Sequence, residues 1–435
     1  MRFSYTFKVD KPSELSKLLL FKSKSLSYIS VLDSNIQVGQ PSLPKDYINY
    51  DLIAGVDALE VLNVENDSFN ALQNFHAQHK DWMFGYLSYD LKNEVEKLNS
   101  DNNDGIKAAN LSFFIPKYVL LLKGNTLEVQ TYESEENCQQ FLLHQQLSLL
   151  DNGSSIQLKK RETKAKYIQK IDAIKKHIQR GDIYEVNYCQ EFFAEDVVVS
   201  PQAIFQELNK NTNTPFASFL KLNDLHAMCA SPERFIKKSG NEIISQPIKG
   251  TRKRGISLAE DKALIKELSE SEKERSENIM IVDLVRNDLS ITATKASVKV
   301  GELCGVYTFE KVHQMISTIS SKVDEKTNFS KILKTVFPMG SMTGAPKLRA
   351  MEIIEQYEEF KRGIFSGAVG YITPKADFDF NVVIRTILYN ANEKYLSVGV
   401  GGAITIRSDA KEEYEECLVK AKPIFEVLNF QLDEK

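Results

Sequence analysis

The chain has 435 residues, of which 42% are hydrophobic and 26% are charged, and its net charge is −4. This composition is typical of a soluble globular protein, and it excludes the global basic field that would hold nucleic acid or an anionic membrane. The sequence contains no apolar run near the roughly 18 residues of a membrane span, and its N-terminus lacks the apolar segment of a signal peptide. Five scattered cysteines without metal-ligand spacing indicate reduced thiols, so we expect a cytoplasmic protein.

The first 150 residues mix short apolar runs with polar breaks. Within them, the alternation in 111–132 predicts two β-strands joined at Gly124-Asn125. The polar segment DNGSSIQLKKR, 151–161, is the best candidate for a boundary.

Beyond that boundary, apolar residues recur at helical spacing in four segments. In the first, Thr163 is a candidate N-cap and Gly181 a candidate stop. The predicted helices are 163–181, 271–290, one beginning near Pro346, and 410–428. Strand patterns at 380–389 and 395–406 lie among them without a repeating βαβ unit, which favours an α+β fold.

Two glutamate pairs have the spacing of neighbours on one helix face. Glu274 and Glu277 are three apart in one predicted helix, and Glu413 and Glu416 are three apart in another. If the two faces meet, four carboxylates converge, which requires a cation between them. Oxygen ligands of this kind suit Mg²⁺. The spacing alone is equally that of ordinary exposed helix surfaces, so both interpretations stay open.

Two glycine-containing segments and one arginine are candidate anion contacts. VGVGGAITI, 398–406, is dense in glycine within a strand pattern, which indicates either a β-bulge or a close backbone approach. FPMGSMTGAPKLRA, 337–350, leads into a helix N-terminus. Arg385 interrupts the apolar run VVIRT; such an arginine either faces solvent or, if buried, needs a carboxylate partner.

Lys249 stands apart from a basic cluster that follows it in SQPIKGTRKRG, 245–255. One interpretation is a charged turn at the end of a strand. The other assigns Lys249 to chemistry and leaves Arg252, Lys253 and Arg254 on the surface. The local sequence pattern leaves both interpretations of Lys249 open.

Eight segments in fixed order decide between these interpretations. They are GDIYEVNYCQEF (181–192), SPERF (231–235), PIKGT (247–251), ENIMIVDLVRNDL (277–289), FPMGSMTGAPKLRAMEII (337–354), GAVGYI (367–372), IRT (384–386) and EYEECLVKAK (413–422). In this order they resemble the chorismate-utilising enzymes, a family that includes anthranilate, aminodeoxychorismate, isochorismate and salicylate synthases. The resemblance covers about 160–428, and FGYLSYDLKNEVEKL, 84–98, is similar to the family's N-terminal part.

The resemblance implies the family's fold, a large α+β unit in which two β-sheets stack orthogonally as a sandwich with helices outside. Residues 1–150 would then be an N-terminal part that contributes strands to the shared fold. Residues 160–430 would be the chorismate-binding catalytic domain.

Residue 249 separates the branches of the family. Anthranilate synthases typically carry alanine in PIAGT, whereas aminodeoxychorismate synthases carry lysine in PIKGT, as this chain does. The resemblance therefore implies conversion of chorismate and ammonia to 4-amino-4-deoxychorismate, for 4-aminobenzoate and folate synthesis. Anthranilate synthase component I is the alternative. A non-catalytic subunit with the same fold would be expected to lack the glutamates, which are all present.

The resemblance implies two catalytic roles. Lys249 would attack ring carbon 2 of chorismate and expel the 4-hydroxyl, after which ammonia attacks carbon 4 and displaces the lysine. Because the attacking amine must be neutral, we expect the pKa of Lys249 to lie below its usual value of about 10.4. Glu233 would protonate the departing hydroxyl, and for that its pKa should be raised toward neutrality.

The resemblance also implies a magnesium ion and a set of substrate contacts. Glu277 and Glu416 would bind Mg²⁺ directly, and Glu274 and Glu413 would act through water. Arg385 would pair with the pyruvyl carboxylate. The other substrate-binding positions would be Gly250, Thr251, Ser341, Gly401, Gly402, Ala403 and Lys420.

Some positions depart from the family pattern. Ala403 replaces a frequent third glycine, and Phe365 stands where relatives carry tyrosine. A family histidine aligns with Gln314, beside His313, and neither is assigned a role. The sequence contains no glutaminase signature, so we expect ammonia to come from a separate glutamine amidotransferase subunit.

Overall fold

The computed structural model describes residues 2–35, 48–143 and 156–431. The predicted boundary at 151–161 therefore lies partly outside the described residues. Strands from both sides of it pair with each other: Tyr28–Asp33 with Phe216–Leu222, and Met83–Leu87 with Ala368–Ile372. The division into an N-terminal part and a catalytic domain stays a prediction.

The helices of the described residues lie between and beside the strands. They are α1 Pro12–Lys22, α2 Ser68–His79, α3 Lys92–Val95, α4 Glu135–Leu142, α5 Lys164–Arg180, α6 Pro201–Thr212, α7 Leu258–Glu270, α8 Glu272–Ser290, α9 Phe329–Val336, α10 Lys347–Tyr357 and α11 Ala410–Val427. Two short 3₁₀ helices span Tyr89–Leu91 and Gly340–Met342.

The strands pair in antiparallel fashion. They are β1 Phe3–Lys8, β2 Tyr28–Asp33, β3 Leu52–Val64, β4 Met83–Leu87, β5 Leu111–Lys123, β6 Thr126–Thr131, β7 Lys159–Lys160, β8 Glu185–Ala194, β9 Phe216–Leu222, β10 Leu225–Ser231, β11 Arg234–Ser239, β12 Glu242–Gln246, β13 Ile248–Lys253, β14 Lys299–Thr308, β15 Val312–Lys322, β16 Gly344–Ala345, β17 Ala368–Ile372, β18 Phe378–Val382, β19 Thr386–Asn390 and β20 Tyr395–Ile404. Together with the helices they confirm the predicted α+β class.

The predicted helix 163–181 shows how local sequence sets an element. The Thr163 hydroxyl accepts a hydrogen bond from the Lys166 N–H at 3.2 Å, which satisfies one free donor of the first turn of α5. Gly181 ends the helix at φ +84°, a conformation that favours glycine. Between these caps, Ile171 and Ile174 face the core. The predicted helices at 271–290 and 410–428 and the strand pair within 111–132 are confirmed as well.

Strand pairing forms one continuous path through the molecule. It runs from β13 through β15, β12, β11, β18, β17, β4, β5, β3, β2, β9, β10, β19 and β20 to β8. The two ends of the path meet in space, because Lys249 on β13 forms an ion pair with Glu185 on β8. The path therefore folds back on itself and brings distant strands to face each other.

Two large apolar clusters fill the interior. One joins β8 and β20 to α11, with Phe192, Val398 and Ile424 among its members. The other includes Val282 of α8 and Ile319 of β15. The packing fixes α8 and α11 against opposite ends of the strand path, and these two helices carry the glutamate pairs.

Other sequence expectations can be compared directly with the structure. The strand predicted over 380–389 is interrupted after Val382 and resumes at Thr386. All five cysteines are buried free thiols, as expected. In the described part of the chain, no helix combines the length and apolar character needed to cross a membrane.

Candidate active site

The predicted site residues gather around one cavity of about 580 Å³. It lies between β13, β20, the start of α8 and the part of α11 from Glu413 to Ile424. The predicted residues that line it are Glu233, Lys249, Gly250, Thr251, Glu274, Glu277, Ser341, Arg385, Gly401, Ala403, Glu413, Glu416 and Lys420. Gly402 lies beside it, where an added Cβ would be 3.2 Å from an oxygen of Glu413.

A bulge in β13 positions Lys249. The register with β15 shifts between Ile248 and Thr251, and Gly250 has φ +87°. A side chain at Gly250 would be strained in this conformation, and its Cβ would lie 3.1 Å from Glu274. The glycine next to the lysine is thus a backbone requirement, and it lets the Lys249 side chain reach the cavity wall.

The basic cluster after Lys249 has separate partners. Arg252 contacts Glu267 at 2.9 Å, and Arg254 contacts Asp261 at 2.8 Å. Lys253 is exposed. Arg252 also lies 3.3 Å from Glu274 and lines the cavity, so the interpretation that leaves the whole cluster on the surface is wrong for Arg252.

Lys249 is held by a carboxylate that the sequence analysis did not single out. Its Nζ lies 2.8 Å from Oε1 of Glu185, with side-chain exposures of 10% and 1%. Burial lowers the pKa of Lys249, but the carboxylates of Glu185 and Glu277 outweigh it, so the pKa is raised above the usual value. The expectation of a lowered pKa is therefore wrong for this structure, and the amine rests in its charged form.

Glu233 follows a turn after β10, where its N–H donates to the Ser231 hydroxyl at 3.2 Å. The residue is buried, and burial raises the pKa of its carboxyl to about 7, against the opposing effects of Ser341, Lys249 and Arg385. The expected raised pKa is confirmed. A carboxyl with this pKa can donate a proton near neutral pH.

Arg385 reaches the cavity because the chain leaves its strand there. The residue has φ +51°, a left-handed backbone conformation that is uncommon for residues other than glycine. Among the described residues its guanidinium has no ion-pair or hydrogen-bond partner, and the carboxyl of Glu233 supplies the opposing charge. Burial lowers the pKa of Arg385. A cation exposed to the cavity in this way can bind an anionic ligand.

The four glutamates of α8 and α11 border the cavity around Lys273. Charge interactions with all four raise the pKa of Lys273 despite its partial burial, and its Nζ lies 3.9 Å from Glu413. Burial raises the pKa of Glu277 to about 7, with smaller contributions from Glu185 and Glu274. Two further cations share this negative charge with Lys273: Lys420 lies 2.8 Å from Glu416, and Arg252 lies 3.3 Å from Glu274.

The glutamates of α8 and α11 provide oxygen donors of the kind that a metal ion needs. Among the described residues, no three His, Cys, Asp or Glu side chains lie close enough to hold a metal together. The chemistry of the donors nevertheless fits Mg²⁺, because Oε1 of Glu277 is buried without a hydrogen-bond partner in the described residues. The magnesium ion stays a prediction.

The glycine-dense strand β20 contains no β-bulge, and its backbone approaches that of β8 closely. Its register with β8 is uninterrupted from Leu396–Ala194 to Ile404–Val186. A Cβ at Gly401 would lie 2.4 Å from the Tyr188 carbonyl oxygen. Lys420 of α11 donates to the Gly401 carbonyl at 3.2 Å and pairs with Glu416 at 2.8 Å. Because Gly401 has no side chain, β20, which forms one wall of the cavity, packs directly against β8.

The sequence analysis assigned no role to three residues that lie at the site. Glu185 begins β8 inside a quoted segment, but no local pattern linked it to Lys249. Lys273 lies in the glutamate-rich turn of α8. Gln314 lines the cavity, whereas His313 contacts Asp261 at 2.9 Å instead. Alternation along β15 separates these two neighbours.

Comparison with known proteins identifies the family. The family of chorismate binding enzymes matches residues 48–426. The chain belongs to the chorismate binding enzyme family.

The relatives that it resembles include aminodeoxychorismate synthases. It is 40% identical over 265 residues to "Aminodeoxychorismate synthase" of Streptomyces griseus, covering 60% of this chain and 36% of that protein. It is 34% identical over 347 residues to "Aminodeoxychorismate synthase component 1" of Escherichia coli (strain K12), covering 79% and 76%. The match thus spans about a third of the Streptomyces relative but three quarters of the E. coli one.

The fold is that of a solved family member. Anthranilate synthase component I from Streptococcus pneumoniae TIGR4 superposes with a TM-score of 0.78 at 24% identity, covering 89% of this chain and 94% of that one. This likeness confirms the predicted fold of the chorismate-utilising enzymes.

We predict that Gly401→Ala lowers the free energy of unfolding by about 1–3 kcal/mol, because the new methyl group meets a backbone carbonyl that cannot move without separating β20 from β8. Gly301→Ala is the matched control, since its nearest contact in another strand is 3.8 Å away. Urea denaturation of both variants checks this. Equal stability of the two would show that the close packing of β20 on β8 is absent in solution.

Proposed function

We propose that this protein is an aminodeoxychorismate synthase component 1, which converts chorismate and ammonia to 4-amino-4-deoxychorismate. The observation that carries the proposal is the lysine of PIKGT on the wall of a cavity that also contains Glu233. An alanine at this position would leave the cavity without its nucleophile. The names of the relatives from Streptomyces griseus and E. coli support the same branch.

Three cavity residues have defined roles in the proposed reaction. Arg385 pairs with the pyruvyl carboxylate of chorismate and fixes the ring. The neutral amine of Lys249 forms a bond to carbon 2 while the double bonds shift and the carbon 4–oxygen bond breaks. Glu233 gives its proton to the leaving oxygen, which departs as water. Ammonia then forms a bond to carbon 4, and the lysine leaves carbon 2.

We propose that Glu277 and Glu416 hold Mg²⁺ directly and that Glu274 and Glu413 support it through water. When bound, Mg²⁺ would neutralise the ring carboxylate of the substrate beside these glutamates. The remaining substrate contacts of this proposal are Gly250, Thr251, Ser341, Gly401, Gly402, Ala403 and Lys420. The unpartnered oxygen of Glu277 supports the assignment.

We also propose that a separate glutamine amidotransferase subunit supplies the ammonia. The designation "component 1" of the E. coli relative supports a two-component enzyme. Anthranilate synthase component I remains the competing function, which the lysine at position 249 disfavours.

The product assay tests the proposed function. With chorismate, ammonium and Mg²⁺, the protein should form 4-amino-4-deoxychorismate, and Lys249→Ala should abolish this product because no nucleophile remains. Chromatography with mass detection identifies the product. Lys221→Ala, a partly buried strand lysine that donates to Ser23, is the matched control and should keep full activity. Fluorescent anthranilate from the unaltered protein would refute the proposal.

The pH dependence tests Glu233. Because its carboxyl must carry a proton and its pKa is about 7, kcat at saturating Mg²⁺ should fall as pH rises through about 7. Glu233→Gln should lower kcat by ~10²–10⁴-fold and remove this fall. Glu162→Gln alters another buried glutamate, one paired with Lys170, and should leave the profile intact. An unchanged profile in Glu233→Gln contradicts the assignment.

The metal proposal predicts that a chelator abolishes activity and that added Mg²⁺ restores it. Glu277→Gln should raise the Mg²⁺ concentration for half-maximal activity by at least about tenfold, because a ligand oxygen loses its charge. Calorimetric titration with Mg²⁺ gives a second measurement. Glu272→Gln on the exposed start of α8 is the control. Identical Mg²⁺ dependence of both variants would remove Glu277 from the metal site.

A further inference from the structure

Glu185 is the direct partner of the proposed nucleophile, yet no role has been assigned to it so far. Its Oε1 accepts a hydrogen bond from Nζ of Lys249 at 2.8 Å. Its other oxygen, Oε2, is buried without a hydrogen-bond partner among the described residues. The carboxylate is 1% exposed, so bulk water has little access to the pair.

Contacts with β16 fix the backbone around Glu185. Glu185 pairs with Ala345 of β16, and the Tyr184 N–H donates to the Ala345 carbonyl at 2.7 Å. A Cβ at Gly344 would lie 2.2 Å from the Glu185 carbonyl oxygen, so the two strands are in close contact there. The carboxylate thus has a fixed position relative to the amine.

Lys249 needs a proton acceptor before it can attack. The carboxylates whose charges face its amine are Glu185 of β8, Glu277 of α8, Glu233 before β11 and Glu416 of α11. Together they keep the amine protonated, and an ammonium group has no lone pair to form a bond.

The other three carboxylates have different duties in the proposed reaction. Glu233 must hold a proton for the leaving hydroxyl in the same step, so it cannot accept one. Glu277 and Glu416 are the proposed metal ligands. Glu185 alone among the four both touches the amine and is free of another role. Burial also favours the transfer, because a neutral amine and acid cost less to bury than two charges.

We propose that Glu185 holds the amine of Lys249 in the cavity and accepts the proton that the amine loses when it becomes the nucleophile. This inference rests on the proposed function. The proton moves from Nζ of Lys249 to the carboxylate of Glu185, and the freed electron pair forms the bond to carbon 2. When ammonia displaces the lysine, Lys249 leaves as a neutral amine and Glu185 returns the proton to it.

The variant Glu185→Gln separates this role from simple charge compensation. The amide keeps a hydrogen-bond acceptor for Lys249 but cannot take the proton. We expect kcat with ammonium to fall by about 100-fold, with the KM for chorismate nearly unchanged. If Glu185 only compensated charge, its removal would free the amine at lower pH, and kcat near neutral pH would stay equal or rise. That second result would overturn the inference.

Chemical modification of Lys249 measures the protonation of its amine independently of catalysis. Only the neutral amine reacts with acetic anhydride, so the pH dependence of Lys249 acetylation, followed by peptide mass spectrometry, reports its protonation. The midpoint should move to lower pH in Glu185→Gln, because a negative charge beside the amine is lost. An unmoved midpoint would mean that the two side chains are not paired in solution, which also overturns the inference.

Glu191→Gln is the matched control. Glu191 lies on the same strand, is equally buried, and contacts a cation, Arg161, at 2.7 Å. It should leave both kcat and the acetylation midpoint of Lys249 unchanged. If Glu185→Gln fails to fold, Glu185→Asp takes its place. The shorter side chain moves the carboxylate away from the amine, so kcat should fall at least about tenfold at unchanged KM. A wild-type kcat in this variant would reject the role of Glu185.

The unaltered protein distinguishes the two levels of proposal. If it forms 4-amino-4-deoxychorismate and Glu185→Gln keeps its kcat, only the role of Glu185 fails. If it forms no aminated product, or forms anthranilate, the proposed function fails and the inference fails with it.

Discussion

The ion pair between Lys249 and Glu185 is the contact on which the site depends. It joins the two ends of a path of paired strands that runs through nearly the whole molecule, and it does so where both side chains are largely removed from water. Loss of one partner from such a pair typically costs about 3–5 kcal/mol, because the other charge remains buried without compensation. The same contact therefore closes the fold and positions the amine that we propose as the nucleophile.

Burial and neighbouring charges together explain the acid–base properties of the cavity. Burial raises the pKa values of Glu233 and Glu277 to about 7, while neighbouring carboxylates raise that of Lys249 against the effect of burial. Four cations oppose this charge: Lys273 and Arg385 at a distance, Lys420 through its contact with Glu416, and Arg252 through its contact with Glu274. A site with these carboxylates favours cations beside its glutamates, and it keeps the amine of Lys249 protonated.

The sequence predicted the features that depend on neighbouring residues and missed those that depend on residues far away in the chain. The caps at Thr163 and Gly181 and the i,i+3 glutamate pairs depend on neighbours within a few residues, and the structure reproduces their elements. The sign of the pKa shift of Lys249 was wrong because its partner is 64 residues away on another strand. The break at Arg385 was missed because its apolar neighbours read as one strand. The resemblance to the family did predict some site residues that lie far apart in the sequence and that only the fold brings together.

The left-handed turn at Gly250 has an evolutionary consequence. Because the glycine and the bulge set the direction of residue 249 through the backbone, an alanine there would keep that direction but would remove the cation beside buried Glu185. An exchange of lysine for alanine at this position therefore calls for a second change at residue 185, since an unpaired buried carboxylate destabilises the fold. Residues 185 and 249 are expected to diverge together between branches of such a family.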